Sequence, residues 1–274
     1  MSIRLLILSD THDSAFPDPG SLPTVDIVIH CGDLTMIGGL SNYRKALEAL
    51  EKCPAQLKLV IPGNHDVSLD PEWWTKNLDE DDDPAEPQRA KELFESFARK
   101  GVKLLEEGTH QMSLQDGRTL NVYASPYTPD FNGYAFAYGE EEDRFNTGAH
   151  TVPLGTDVVV THGPPFVPVT AYRMDQGKNG EHCGCSKLWT AIERTRPRLH
   201  CFGHIHQGYG SQVVRWDKTD GMTVEDVSAT GSDDLDGRAR SVPPTTEGTT
   251  VLVNAAIMAD GGLNNKPWVV DVKL

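Results

Sequence analysis

Positive charge is scarce in this chain: 25 Lys and Arg stand against 40 Asp and Glu, a formal net charge of −15 over 274 residues. A protein that grips a nucleic-acid backbone needs a basic surface to release counterions, so no stable nucleic-acid binding is expected. A DNA nuclease is disfavoured on the same ground. Any positive charge that faces a phosphate must be concentrated locally, and bound metal ions can supply it. Long apolar runs are missing too. Ile3 to Leu8 is too short for a signal-peptide core or a membrane span, and Asp10 and His12 follow directly, so no membrane partner is expected. Cysteine is sparse, five residues and an odd number. Cys31 and Cys201 sit inside apolar runs, where a small buried thiol is the default. Cys183 and Cys185 are the only close pair, and no second pair stands at zinc-site spacing, so a disulfide or metal site there is the lesser reading. The expectation is a cytoplasmic protein with reduced thiols. A Walker loop, a Gly-x-Gly-x-x-Gly turn and a Gly-x-Ser-x-Gly nucleophile elbow are all absent.

What is present is a series of short apolar runs, each closed by polar turn residues. Arg4 to Leu8 meets Ser9-Asp10-Thr11-His12, and Asp26 to Ile29 meets His30-Cys31-Gly32-Asp33. Leu57 to Ile61 meets Pro62-Gly63-Asn64-His65-Asp66, Asp157 to Val160 meets Thr161-His162-Gly163, and Arg198 to Phe202 meets Gly203-His204-Ile205-His206. Such runs, closed by Gly, Pro, Asp or Asn, read as strands ending in turns. Helical spacing lies between them: Tyr43, Ala46, Leu47 and Leu50 behind Ser41 as cap; Ala90, Leu93, Phe94 and Phe97 ending at Gly101; Leu188, Ile192 and Thr195 behind Ser186 as cap and ahead of Pro197. Strands alternating with helices indicate an α/β fold, and later strands at Val122 to Ala124, Val251 to Ala255 and Trp268 to Val272 make the sheet mixed. Residues 79–87 read as a solvated surface segment, and residues 217–248, rich in Thr, Ser, Asp and Gly, as a long loop excursion from a single domain spanning 1–274.

In an α/β sheet the loops at the carboxyl ends of the strands gather at one edge, where ligands bind. Asp10, His12, Asp33, Asn64, His65, His162, His204 and His206 all follow an apolar strand run. Asp10 and His12, like His204 and His206, are spaced to point to the same side of an extended segment. Imidazole, carboxylate and amide donors suit two hard-to-borderline divalent ions sharing a carboxylate; manganese is favoured, with iron, zinc and magnesium compatible. Taken singly, each residue has a plain reading as a turn or core residue. The joint pattern at five successive strand ends does not.

These residues resemble the motif series of the calcineurin-like metallophosphoesterases, which here runs from Asp10 to His206. The wording Thr161-His162-Gly163-Pro164-Pro165 and Gly203-His204-Ile205-His206-Gln-Gly-Tyr209-Gly210 resembles the branch of metallophosphoesterase-domain-containing proteins known from mammalian brain, with fungal and bacterial relatives. The resemblance implies a four-layer αββα sandwich of two mixed β-sheets flanked by helices. It also implies one ion held by Asp10, His12, Asp33 and His206, and a second held by Asp33, Asn64, His162 and His204.

Two ions roughly 3.5–4 Å apart can clamp a phosphate and acidify a bridging water, whose hydroxide attacks phosphorus in line. His65 is the motif histidine not spent on metal; it is expected to donate a proton to the leaving oxygen, with Asp33 or Asp66 orienting it. Tyr127, Phe131, Arg173 and His182 are candidates for substrate contact. His30 and His200 are read as core residues, His110 and His150 as surface. The expected substrate is a small phosphate ester or nucleotide, with a phosphodiester such as a cyclic nucleotide favoured. A phosphomonoesterase, or a nucleotide-binding regulatory protein with slow turnover, stays open.

Overall fold

The computed structural model describes residues 1–14, 18–218, 221–227, 234–235, 238–259 and 262–274. One sheet contains β1 (Ser2–Leu8), β2 (Ile27–His30), β3 (Leu57–Val60), β4 (Val102–Leu104), β13 (Asp234–Leu235), β14 (Ala239–Ser241) and β18 (Trp268–Lys273), in the order β13-β14-β18-β1-β2-β3-β4. The other contains β5 (Gly108–Ser113), β6 (Thr119–Ser125), β9 (Val158–Thr161), β10 (Leu199–Phe202), β11 (Gly210–Trp216), β12 (Met222–Asp226) and β15 (Thr249–Asn254), in the order β12-β11-β15-β10-β9-β6-β5. In the first sheet β1 to β4 run parallel out to the β4 edge, with β18 antiparallel to β1 and β14 parallel to β18; in the second, β6, β9, β10 and β15 run parallel at the centre, between antiparallel β5 and β11. Two small ribbons complete the strands: β7 (Thr128–Pro129) with β8 (Ala137–Tyr138), and β16 (Met258–Ala259) with β17 (Gly262–Leu263).

The two-residue period of a strand sorts the side chains into layers. Ile3, Leu5 and Ile7 of β1 and Ile27 and Ile29 of β2 meet Val158 and Val160 of β9 and Leu199 and Cys201 of β10 in a core between the sheets. The alternate residues, Leu6, Leu8 and Val28, face outward and are covered by α1 (Leu40–Glu51) and α3 (Glu86–Ala98) through Tyr43, Leu47, Leu50, Leu93, Phe94 and Phe97. On the far side α4 (Ser186–Thr195) lays Leu188, Trp189 and Ile192 over Val159, Phe202 and Leu252. Each such side chain contributes about 1.5–3 kcal/mol when fully buried. The result is the expected αββα order of layers. The short α2 (Pro71–Lys76) is capped by Asp70 and stands apart from these layers.

Two helix starts differ from the sequence reading. Ser41 lies inside α1, whose cap is Gly39, at φ 96°; Asn42 instead binds the Gly38 carbonyl through its side chain. Ser186 is the first residue of α4, and the cap is the Cys185 thiol, whose sulfur accepts from the Leu188 N–H at 3.3 Å and from the Tyr138 hydroxyl at 3.0 Å. Cys185 is thus buried as a cap, Cys183 is exposed, and all five cysteines are free. Within residues 217–248, read as a loop, the described residues form β12 on the edge of one sheet and β13 and β14 on the edge of the other. Paired backbone satisfies those polar segments without an apolar signal in the sequence. No helix among the described residues is long and apolar enough to cross a membrane.

Candidate metal centre

The loops that leave β1, β2, β3, β9 and β10 meet at one edge of the sandwich. Two groups of donors form there, each with its ligand atoms within 4.8 Å of one another: Asp10, His12 and His206, and Asp33, His162 and His204. Each group draws from both sheets. The turns that achieve this are tight. Asp10, His12, Asp33 and His204 all take left-handed backbone, with φ of 58°, 44°, 56° and 66°. This region costs an L-residue about 1–3 kcal/mol and is held only where surrounding contacts fix it. The Asp10/His12 and His204/His206 pairs therefore reach their common side by left-handed turns, not along an extended segment as the spacing suggested. Glycine permits the close approach: a Cβ on Gly63 would lie 2.2 Å from Asp33 Oδ1, and one on Gly203 would lie 2.1 Å from Asp10 Oδ2.

His162 tests whether these residues fit a metal. Its Nδ1 bonds the Cys31 carbonyl at 2.9 Å, which puts that proton on Nδ1. In the neutral ring the Nε2 lone pair then faces Asn64 Oδ1 at 2.9 Å and Asp33 Oδ2 at 3.3 Å, three acceptors pointing at one another. A positive charge between them, an Nε2 proton or a metal ion in its place, satisfies all three. The same demand appears in its titration: burial opposes the charged ring, but the charge and hydrogen bond of Asp33, with Asp10 behind, raise it to about 9. In the other group His12 Nε2 and His206 Nε2 are 3.3 Å apart, and Asp10 Oδ1 is 3.3 Å from His206. Burial pushes Asp10 up, yet His206 and His162 together hold it down to about 2. Asp33, also raised by burial, is held well below the ordinary carboxylate range by His162 and His12. Two ionised carboxylates that are fully buried need countercharge, and nitrogen and oxygen donors of this kind provide a divalent-ion site.

Two buried histidines brace these loops. Thr11 Oγ1 donates to the Leu34 carbonyl and receives His30 Nε2 at 3.1 Å; Thr161 Oγ1 donates to the Gly163 carbonyl and receives His200 Nε2 at 2.8 Å. Burial lowers His30 to about 4 and His200 to about 3, so both rings are neutral donors. Their core placement matches the sequence reading. His110 is half-buried against the Glu106 carbonyl, and His150 is exposed beside Glu107.

A cleft of about 590 Å³ opens above the donors, with His12, Asp33, Asn64, His204 and His206 on its floor and His65 at one side. Asp10 and His162 lie beneath it, fully buried. His65 Nδ1 bonds the Met36 carbonyl at 2.8 Å, and its backbone N–H donates to Asp33 Oδ1 at 2.9 Å. No carboxylate orients its ring, which corrects the expected partnership with Asp33 or Asp66. Asp66 is spent elsewhere: its buried carboxylate accepts from the N–H groups of Leu34, Thr35 and Gly63 and from the Thr35 hydroxyl, fastening the loop after β2 to the loop after β3. It positions the site and does not border the cleft.

Of the four residues expected to touch substrate, Phe131 alone lines the cleft. Tyr127 lies on the other side of the β7 ribbon with the Arg144 guanidinium 3.6 Å from its ring centre, bordering a separate cavity. Arg173 is exposed and outside the cleft lining, and His182 binds the buried Asp175 at 2.8 Å. Arg173 and His182 stand in the loop after the His162 motif and Tyr127 in an aromatic run, but the chain carries these three away from the cleft. Missed were Met36, Thr128, Asn132, Tyr134 and Met258. Asp130-Phe-Asn-Gly133 is a turn signature that would have placed Phe131 and Tyr134 at a loop tip.

A family model described as calcineurin-like phosphoesterase matches residues 3–208. Human metallophosphoesterase domain-containing protein 1 is 33% identical over 222 residues, which are 76% of this chain and 61% of the human protein. A UPF0046 protein of Caenorhabditis elegans is 29% identical over 232 residues, 81% of this chain and 54% of its own. A protein of Emericella nidulans named probable rhamnogalacturonate lyase C is 35% identical over 217 residues, 78% of this chain but only 18% of its own length, so that name attaches to a far longer chain. This chain thus spans less than two thirds of each of these relatives.

Proposed function

Because the chain belongs to the calcineurin-like phosphoesterase family, with residues 3–208 matched, we propose that it is a metal-dependent phosphoester hydrolase acting on phosphodiesters. Asp10, His12, Asp33 and His206 would hold one divalent ion; Asp33, Asn64, His162 and His204 would hold the other. The observation that carries this reading is the position of Asp33 Oδ2, 3.6 Å from His12 Nε2 and 3.3 Å from His162 Nε2, one nitrogen from each group. Its companion Oδ1 is tied to the His65 N–H, so Asp33 is the residue that would be shared between the two groups. When bound, the ions supply Lewis-acid stabilisation of charge on the phosphoryl oxygens and a water acidic enough to act near neutral pH. The nitrogen and oxygen donor set suits manganese.

His65 is the proton donor. With Nδ1 committed to the Met36 carbonyl, Nε2 is the nitrogen that meets substrate, and in the imidazolium form it gives its proton to the leaving oxygen. A diester is favoured by what the wall lacks: among the described residues lining the cleft there is no Lys or Arg. A monoester dianion would rest its second charge on the ions alone, whereas a diester monoanion, cyclic nucleotides included, needs no further cation. Five free cysteines suit a reducing cytoplasm.

The test is metal content together with a substrate panel. Two ions per chain are expected, and bis-p-nitrophenyl phosphate and 2′,3′- or 3′,5′-cyclic nucleotides should turn over faster than p-nitrophenyl phosphate with manganese added. Asp33→Asn should lose both ions. Faster monoester hydrolysis would reverse the substrate class, and binding of two ions without any turnover would leave a nucleotide-binding protein.

A further inference from the structure

Away from the chain ends, six large apolar side chains are strongly exposed among the described residues: Met36, Ile37, Leu78, Phe131, Tyr134 and Leu154. Scattered singly, such residues need no explanation. Four of them are not scattered. Met36 and Ile37, 47% and 74% exposed, sit on the loop after β2, and Phe131 and Tyr134, 70% and 38% exposed, sit on the loop joining β7 to β8. Met36, Phe131 and Tyr134 line the cleft.

The two loops converge on His65. Met36 holds its Nδ1 through the main chain, and the Tyr134 ring leans on the imidazole with centroids 4.8 Å apart and a tilt of 39°. The Phe131 loop is fastened at several points: Trp73 Nε1 donates to the Gly133 carbonyl at 2.7 Å, Asp70 accepts the Phe136 N–H at 2.8 Å, and Asp130 accepts the Gly133 N–H at 3.1 Å. Asn132 and Phe136, like Gly133 between them, take left-handed φ of 58°, 53° and 70°. A ring displayed on so constrained a tip is held in place for something that covers it.

We propose that Met36, Phe131 and Tyr134 form a specificity rim that holds a flat aromatic substituent on the phosphate ester, on the side of the cleft where His65 stands. The proposal rests on the phosphoesterase reading only for where the phosphate lies. The occupant follows from three features. The rim is continuous with the metal ligands, so what covers it is joined to the phosphate. Its two rings offer π-faces, which favour a flat group over a branched aliphatic one. A membrane surface is the wrong partner, because a chain of net charge −15 is repelled by anionic headgroups and the cleft wall carries no Lys or Arg among the described residues.

Calorimetric titration of the manganese-loaded chain with methyl-, cyclohexyl-, phenyl- and 2-naphthylphosphonate tests this without turnover. Affinity should rise from methyl to naphthyl by on the order of tenfold, the worth of an aromatic contact and the area it buries, with cyclohexyl falling short of phenyl. Phe131→Ala should collapse the ratio of naphthyl to methyl affinity, while Leu154→Ala, at an exposed apolar residue away from the cleft, should leave it intact. Methylphosphonate binding with no gain along the series overturns the rim alone. A gain in which cyclohexyl equals phenyl overturns its aromatic character. No binding by any phosphonate overturns the rim and the phosphate site together, and hydrolysis of diesters with a flat series separates the two.

Discussion

A histidine that gives its Nδ1 proton to a backbone carbonyl has one nitrogen left, and what that nitrogen faces decides its role. His162 faces Asn64 and Asp33, both acceptors, which is the surrounding a metal ligand would have; His65 faces the open cleft, where under the proposed function it would give up a proton from its imidazolium form. His65→Ala should therefore lower turnover by about 10²–10⁴, the range for a general acid, while metal analysis still finds two ions per chain. Loss of metal would make it a ligand. Gly63→Ala should do the opposite. Its Cβ would fall 2.2 Å from Asp33 Oδ1 and 2.4 Å from the Asp33 nitrogen, backbone that cannot give way, so metal stoichiometry should drop first. The ligands were legible in the sequence because each ends an apolar run. Tyr134 and Met36 were not: the turn signature before Tyr134 marks a loop tip but not that two left-handed residues carry it to the site, and Met36 acts through a main-chain oxygen that no side-chain pattern reveals.

Strands were easier to read than the turns that follow them. β1 reads as a strand because both of its faces are buried and its apolar run is nearly continuous, although which residues face which core, Ile3, Leu5 and Ile7 on one side and Leu6 and Leu8 on the other, shows only in the structure. Caps were not legible, since a thiol is not an expected cap and Cys185 outcompetes the neighbouring Ser186. Cys185→Ala should cost about 0.5–2 kcal/mol, as other cap removals do, and leave the Tyr138 hydroxyl without its sulfur. Urea unfolding measures it. An unchanged midpoint would mean that α4 is held by its apolar face alone. The edge strands within residues 217–248 were illegible for a different reason: they pair by main-chain hydrogen bonds at the sheet margins and need no apolar stripe.

Across the whole molecule, a net charge of −15 opposes the approach of an anionic ester, and the ions attract it only at short range. Added salt should therefore raise kcat/KM for a diester until screening is complete, the reverse of a basic nucleic-acid enzyme. A steady fall with salt would point to a local positive field instead. Stripping the ions with EDTA should lower the Tm, since an ion present at about 100 times its Kd adds about 2.7 kcal/mol. The αββα architecture was legible from the order of strands and helices; the contribution of both sheets to each donor group was not, because nothing in a linear spacing says which sheet a strand joins. That division has a consequence for the order in which the protein is made. Asp10 and His12 are made well before His206, with which their group closes, and Asp33 well before His204, with which its group closes. Neither donor group is complete while only the first strands have been made, and although β1 can pair with β2 early, its other edge is covered only by β18, from Ser2 and Lys273 inward. On the proposed reading metal uptake would come only after both halves have met, so a chain stalled before residue 204 would carry its buried acidic residues without the donors that complete either group.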